Sequence, residues 1–487
     1  MTPAAFAIGP DKQPGGHRAL RAGEVLAGAI VLTWPGFYNR YPLLYPDSMS
    51  YLEDGRLVAR ALFLHKLSPY YGLRSHFYSL GIGVFHWNVT PWPVVALQAL
   101  LVAYVIRLVL RSLLPRSGAF SYFSLMALLG LLTSAGWYAS LILPDILGPA
   151  LYLCIYLLVF SRETLSSPEH AAVALIAWWA VVSHASHMML AAGLCLLFSL
   201  LAVIWRGLMQ GRWKGVGEVA AIVLLAAGAQ VALNTYLYGE PSLNGERPPF
   251  LMARVIADGP GRWYLEQHCG QIEFAVCDYV HRLPGDADDF LWGDKGIWQN
   301  ASDETEKRFA REEVPLVLAT LWTYPRAQLS RSAANFLQQL RAFGLWDLDE
   351  NDYVLGQFKD TLPGQLSRYL AGRQAHNSLP LEFFTSVQNW AVLASLLLTV
   401  VFTPLTWRCL FPRAAGLGVV VASTVVANAF VTGALVTVED RYECRVIWLL
   451  PLLGGVLVLT WIQQRQDARA ARAARPLAEE LVSEQVR

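Results

Sequence analysis

The stretch Pro91-Trp-Pro-Val-Val-Ala-Leu-Gln-Ala-Leu-Leu-Val-Ala-Tyr-Val-Ile-Arg107-Leu-Val-Leu-Arg111-Ser-Leu-Leu114 decides the fold class. It runs apolar for about the 20 residues that an α-helix needs to cross a bilayer core, and both of its arginines fall in the last third. The same reading carried outward finds about ten such segments, near 23–38, 91–114, 119–139, 142–160, 170–184, 187–206, 216–237, 386–405, 414–437 and 446–463. The segments at 170–184 and 187–206 are joined almost without a loop, so one broken helix is the alternative there. Over its 487 residues the chain is 55% hydrophobic and only 15% charged, with a mean hydropathy of +0.37. Soluble proteins carry about a quarter charged residues. The expectation is an all-α polytopic membrane protein, and a net charge of +1 excludes a whole-chain argument for nucleic-acid binding.

Charge sets the orientation. The stretch Met1–Ala22 is polar and Gly/Pro-rich, so the first span reads as a retained signal anchor rather than a cleaved leader. With residues 1–22 inside, the inner connections and the tail 464–487 hold 17 basic residues, among them Lys12, Arg18, Arg21, Arg107, Arg111, Arg162, Arg212 and Arg413. The short outer segments hold only seven: Arg40, Arg56, Arg60, Lys66, Arg74, Arg441 and Arg445. The positive-inside rule then places both termini in the cytoplasm. The layout is a block of seven spans over 23–238 with an amphipathic first outer loop at 39–90, an outer domain at 239–385, and three closing spans over 386–463.

The loop 239–385 is net −7 while the rest of the chain is +8, which suits the outer side. Its five tryptophans and many apolar positions are enough for a modest core. Asp303–Leu321 and Thr323–Phe343 carry apolar residues at helical spacing, the second opening on Thr-Tyr-Pro. High Gly, Pro and Asp density predicts irregular loops between Arg247 and Trp298. Cys269 and Cys277, in Cys-Gly-Gln-Ile-Glu-Phe-Ala-Val-Cys, have a spacing that can close a short loop, and an oxidising outer side predicts a disulfide. A structural zinc site is not expected, because no second Cys/His pair of suitable spacing is present.

Five clusters of ionisable residues meet the outer membrane surface: Tyr45–Arg56, Lys66–His76, Leu143-Pro-Asp145, Ser183-His184-Ala-Ser-His187 and Glu439–Arg445. Charge at that depth is costly, so function is the first hypothesis. Asp47 follows Pro46 and opens a segment whose Met49, Leu52, Leu57, Val58, Ala61 and Leu62 would lay an apolar face on the bilayer. Its carboxylate reads as a catalytic base or, with Ser48, as a helix cap. Asp145 likewise reads as a second site carboxylate or as a cap. His184 and His187, three apart, suit hydrogen bonding or phosphate contact better than metal binding, since no third ligand stands nearby. Arg441 offers a fork of donors suited to phosphate, with Tyr442 and Arg445 beside it, against the alternative of an ion pair with Glu439 or Asp440.

These residues carry a resemblance. Pro46-Asp47 continuing through Tyr51 resembles the opening of the first outer loop in the GT-C superfamily of membrane glycosyltransferases, including protein mannosyltransferases and the aminoarabinose transferase of lipid A. Asp440-Arg441-Tyr442 followed by Val446–Leu453 resembles the helix that closes such chains. The resemblance covers about 23–237 and 386–463. Ser48 stands where several relatives have a second acidic residue, and no Asp-x-Asp accompanies Asp145. The resemblance implies a polyprenyl-phosphate sugar donor, a glycan, lipid or protein acceptor, and inversion at the anomeric carbon. It also implies reaction at the outer face of a bacterial inner membrane, among membrane lipids. Cofactor use is left open, a divalent cation included. In that frame Asp47 and Asp145 are the catalytic carboxylates, and Tyr51, Lys66, Arg74, His76, His184, His187, Arg441, Tyr442 and Arg445 bind substrate. A secondary transporter or lipid flippase, an envelope scaffold and another lipid-linked group transferase are the competing classes.

Overall fold

A computed structural model describes residues 15–68, 71–243, 245, 247–349 and 352–485. The expected polar stretch through residue 14 lies outside the described residues, as do the side chains of Arg18, Arg21, Arg408, Cys409, Arg472, Arg475 and Arg487. Regular structure among the described residues is helical, with one isolated parallel bridge between Leu43 and Leu141.

Among the described residues, six helices are long and apolar enough to cross a membrane: Trp92–Leu113, Ala185–Ile204, Trp213–Tyr238, Leu381–Thr406, Arg413–Ala434 and Asp440–Ala470. Ala22–Leu32, Ala119–Leu132 and Pro144–Phe160 are apolar but shorter. Several segments that read as unbroken spans are therefore interrupted. The first helix stops at Leu32 and restarts as Trp34–Asn39 with Pro35 in its first turn. The third segment stops at Leu132, restarts as Ala135–Ser140, and passes into extended backbone at Leu141. Side chains replace the missing helical hydrogen bonds, as breaks inside a membrane bundle require. Gln388 Oε1 accepts the Ser134 N–H at 2.5 Å, and Gln98 Nε2 donates to the Leu141 carbonyl at 2.8 Å. Summed hydropathy does not register such breaks.

Ser167–Ser183 and Ala185–Ile204 are separated by His184 in extended conformation. His187 lies against Gly148, where any Cβ would crowd its Nε2, and Phe198 meets the ring of Phe160 at 5.5 Å. Ala185–Ile204 thus runs beside Leu147–Phe160 from start to end, and Ser167–Ser183 runs back between them. The chain reverses at His184, which removes the single broken helix as a description of this region.

The main core runs through this bundle and includes Leu32, Leu129, Ile155, Phe198, Leu417 and Trp448. The region 239–385 divides its packing. Met252, Ile256, Leu265, Phe290, Phe309 and Leu316 build a second core, while Leu345, Leu348, Phe358, Leu362 and Tyr369 join the main one. Asp303–Thr323 and Pro325–Gln339 occupy the places expected of them. The stretch expected to be irregular instead holds helices Phe250–Ala257 and Pro260–His268, because its Gly and Pro sit at helix boundaries. Cys269 and Cys277 form a disulfide with Cα atoms 5.4 Å apart.

One expectation fails outright. The apolar face of Pro46–Leu64 does not lie on a bilayer: Met49, Leu52, Val58 and Ala61 are buried inside the protein. Its partner is the His76–His86 helix, and Gly55 permits the approach because a Cβ there would strike the Ser79 carbonyl. The exposed large apolar residues of this loop are instead Phe63, Leu64 and Leu67 at and just past the end of that helix and Val84, Phe85, Trp87 and Val89 near the loop's end.

Candidate active site

Tertiary hydrogen bonds and local capping together fix Asp47. The segment before it is extended and held on two sides. Leu43 donates to the Ser140 carbonyl at 2.9 Å, and Ile142 N–H donates back to the Leu43 carbonyl at 3.1 Å. Buried Gln374 brackets Leu44, accepting its N–H at 3.0 Å and donating to its carbonyl at 2.7 Å. Pro46 then starts the helix with its φ already set, and the Ser48 hydroxyl accepts the Tyr45 N–H at 2.9 Å. Ser48 is therefore the capping side chain, which leaves Asp47 free in the first turn, where the helix dipole favours a carboxylate.

That carboxylate sits between two arginines. Arg74 Nη2 donates to Oδ1 at 2.5 Å and Arg441 Nη1 to Oδ2 at 3.4 Å. Arg441 stacks over the Tyr45 ring at 4.2 Å and reaches Tyr442 at 5.1 Å. Arg74 lies 5.6 Å from the Trp292 ring, and its neighbour Leu73 packs on the second core. The backbone of Arg441 is held as well: its N–H donates to Asp347 Oδ2 at 2.8 Å, and Tyr138 Oη donates to its carbonyl at 3.0 Å. Burial raises the Asp347 carboxyl, and the Arg441 N–H and guanidinium oppose that rise. The alternative pairing of Arg441 with Glu439 or Asp440 is not found, since Asp440 Oδ1 instead accepts the Gly344 N–H at 2.5 Å.

One helical turn on, Arg445 is 1% exposed and bonded through both terminal nitrogens, while its Nε has no partner. Its donors reach Asp145 Oδ1 at 3.3 Å, Ser186 Oγ at 3.1 Å and Asn428 Oδ1 at 2.9 Å. Asp145 caps no helix; its 3-10 turn Pro144–Ile146 lacks a side-chain cap, and the carboxylate turns to Arg445. His184 and His187 face each other with ring centroids 5.1 Å apart. His184 Nδ1 meets Ser186 Oγ at 2.8 Å, which ties the pair to Arg445. Tyr51 is buried edge-on against Tyr78 at 4.8 Å, within electrostatic reach of Arg74, Asp47 and Asp145.

Two expected residues lie elsewhere. Lys66 is exposed beyond the end of Pro46–Leu64. His76 is buried against Tyr71 and Tyr238, its Nε2 2.9 Å from Tyr238 Oη, and burial lowers it to about 4. It ties the 39–90 loop to the end of Trp213–Tyr238 and serves packing.

Several site residues escaped the sequence reading. Tyr45 stood beside Pro46-Asp47 without an assigned role, and Asn428 is a lone amide in an apolar span, which was a usable signal. Asp347 and Trp292 carried none, because their position depends on how the 239–385 region folds back. Between the helices bearing Ser186 and Asn428, an apolar cavity of about 450 Å³ is lined by Leu190, Leu194, Leu197, Phe336, Ala427 and Phe430. Among the described residues, no group of three or more His, Cys, Asp or Glu side chains gathers in a metal-binding arrangement. No family model, curated protein or solved structure matches the chain.

Proposed function

We propose that this protein is an inverting membrane glycosyltransferase of the GT-C type. It moves a sugar from a polyprenyl-phosphate donor to an envelope glycan, lipid or protein acceptor, with about ten passes and the site on the outer face. The observation that carries the reading is a carboxylate held between two arginines at the outer end of an apolar bundle. An acceptor hydroxyl needs a base, and a lipid-phosphate leaving group needs positive charge rather than a proton. Asp47 takes the hydroxyl proton as the acceptor oxygen bonds to the anomeric carbon. The bond from that carbon to the phosphate oxygen breaks, and its electron pair leaves on the phosphate, beside Arg441 and Arg74. Asp145, through Arg445, is a positioning residue. The cavity beside Ser186 and Asn428 supports a lipid-linked donor, because its walls are apolar and include Leu190, one turn on from Ser186, and Ala427, next to Asn428.

The test is transfer by the protein purified in mild detergent, together with mass spectrometry of co-purifying lipids. A bound polyprenyl-phosphate sugar and transfer lost in Asp47→Asn are expected; a variant as active as the wild type sinks the base assignment. A transporter or flippase draws on a different observation, the charges of Arg445 and Glu443 buried inside the bundle. Substrate flux in proteoliposomes with no sugar transfer would favour it.

A further inference from the structure

We infer that Arg74 and Arg441 form a phosphate site whose occupant in this structure is the carboxylate of Asp47, so that an arriving phosphate takes the arginines and releases the base. The inference rests on the transferase reading for the identity of the anion; the exchange itself rests on geometry.

Three observations carry it. Two cations face one carboxylate, each through a single hydrogen bond, although a guanidinium offers five donors. A phosphate has more charge and more acceptor oxygens than a carboxylate and would use that surplus. Both arginines also have supports other than Asp47. Arg441 rests on the rings of Tyr45 and Tyr442, and Arg74 on that of Trp292, contacts that orient a guanidinium without neutralising it. Finally, Arg445 four residues on shows what a permanent arrangement looks like here. It has three polar partners and is 1% exposed, whereas the side chains of Arg74, Asp47 and Arg441 are 26%, 13% and 11% exposed.

The exchange has a functional consequence. Between two arginines the Asp47 oxygens are engaged and poorly placed to take a proton from an acceptor. Binding of the donor phosphate would disengage them, so the base is freed only when the leaving group is in place. Donor binding then precedes acceptor activation.

The experiment measures binding of inorganic phosphate and of farnesyl phosphate to the full chain in detergent by titration calorimetry. Removing the competing carboxylate in Asp47→Asn is expected to tighten both by about fivefold or more, the weight of a partly buried ion pair. Arg74→Ala and Arg441→Ala are expected to weaken both. Equal or weaker binding by Asp47→Asn overturns the exchange, even if transfer proves real. Tighter binding with no transfer activity keeps the exchange and removes the transferase reading. Tighter binding of farnesyl phosphate than of inorganic phosphate assigns the site to a lipid headgroup, and equal affinities assign it to free phosphate. A second measurement needs no variant. Carbodiimide-driven amine labelling of Asp47, read by peptide mass spectrometry, should rise severalfold when farnesyl phosphate is added to the wild type, and unchanged labelling contradicts release.

Discussion

Arg441 and Arg445 stand one helical turn apart on the same helix, and each meets a carboxylate brought by a different connection, Asp47 in one case and Asp145 in the other. The two pairs are otherwise unlike. At the Asp47 pair the arginine stacks closely on Tyr45 and shares its carboxylate with a second arginine. At the Asp145 pair the arginine's terminal nitrogens meet a carboxylate, a hydroxyl and an amide, with both partners nearly sealed from solvent. A charge that must stay is surrounded by fixed dipoles, because an uncompensated charge in a low-dielectric interior is very costly. A charge that must meet a substrate is left with donors to spare.

The largest effect expected from this contrast is on chemistry. Asp47→Asn should lower transfer by about 10²- to 10⁴-fold, the range for a lost general base, while its melting temperature in detergent stays near that of the wild type. A melting temperature that falls as far as activity does would make the Asp47 pair structural and erase the distinction. Next comes Arg445→Ala, which strands Asp145 and should cost about 3–5 kcal/mol, read as a lost yield of folded, detergent-soluble protein. Replacing both partners with apolar residues of similar size should recover much of that, and failure to recover would give Arg445 a part in the reaction.

Asp54 sharpens the comparison as a buried carboxyl without an arginine partner. Burial pushes it up to about 7 from 3.8, its Oδ1 accepts the Gly72 N–H at 3.1 Å, and its Oδ2 has no partner. Between those two pH values the folded chain holds a proton that the unfolded chain has lost, so rising pH destabilises the fold. His76 acts in the opposite sense. Burial lowers it to about 4 from 6.5, so over that interval the unfolded chain holds the extra proton and rising pH stabilises the fold. Asp54→Asn should therefore melt at temperatures that climb more steeply than those of the wild type from pH 4 to 6.5. A variant whose pH profile overlays the wild type would show that Asp54 is already ionised. The smallest effect is the stability change of Arg441→Ala, about 1 kcal/mol or less for a partly exposed pair, against a clear loss of phosphate affinity.

Much of this was legible in the chain itself. Apolar runs of spanning length announced the helices, and the five ionisable clusters named Asp47, Arg74, Asp145, His184, Arg441 and Arg445, which do converge. Two features misled. The apolar side of Pro46–Leu64 reads the same whether it faces lipid or protein, since both are equally apolar, and here it faces protein. Lys66 and His76 lie close to Arg74 in sequence but point away from it, one to solvent and one into an aromatic packing cluster.

What the sequence determined by itself was the helical class and which ionisable residues stand beside the apolar helices, because hydropathy and charge act locally and are read residue by residue. The tertiary structure alone decided how those residues pair. That Asp47 meets Arg441 across nearly four hundred residues, that Asp347 and Trp292 arrive from the 239–385 region, and that helices break at Thr33 and Thr133 all follow from where distant side chains supply hydrogen bonds and charge. Such long-range partners have no imprint on local composition.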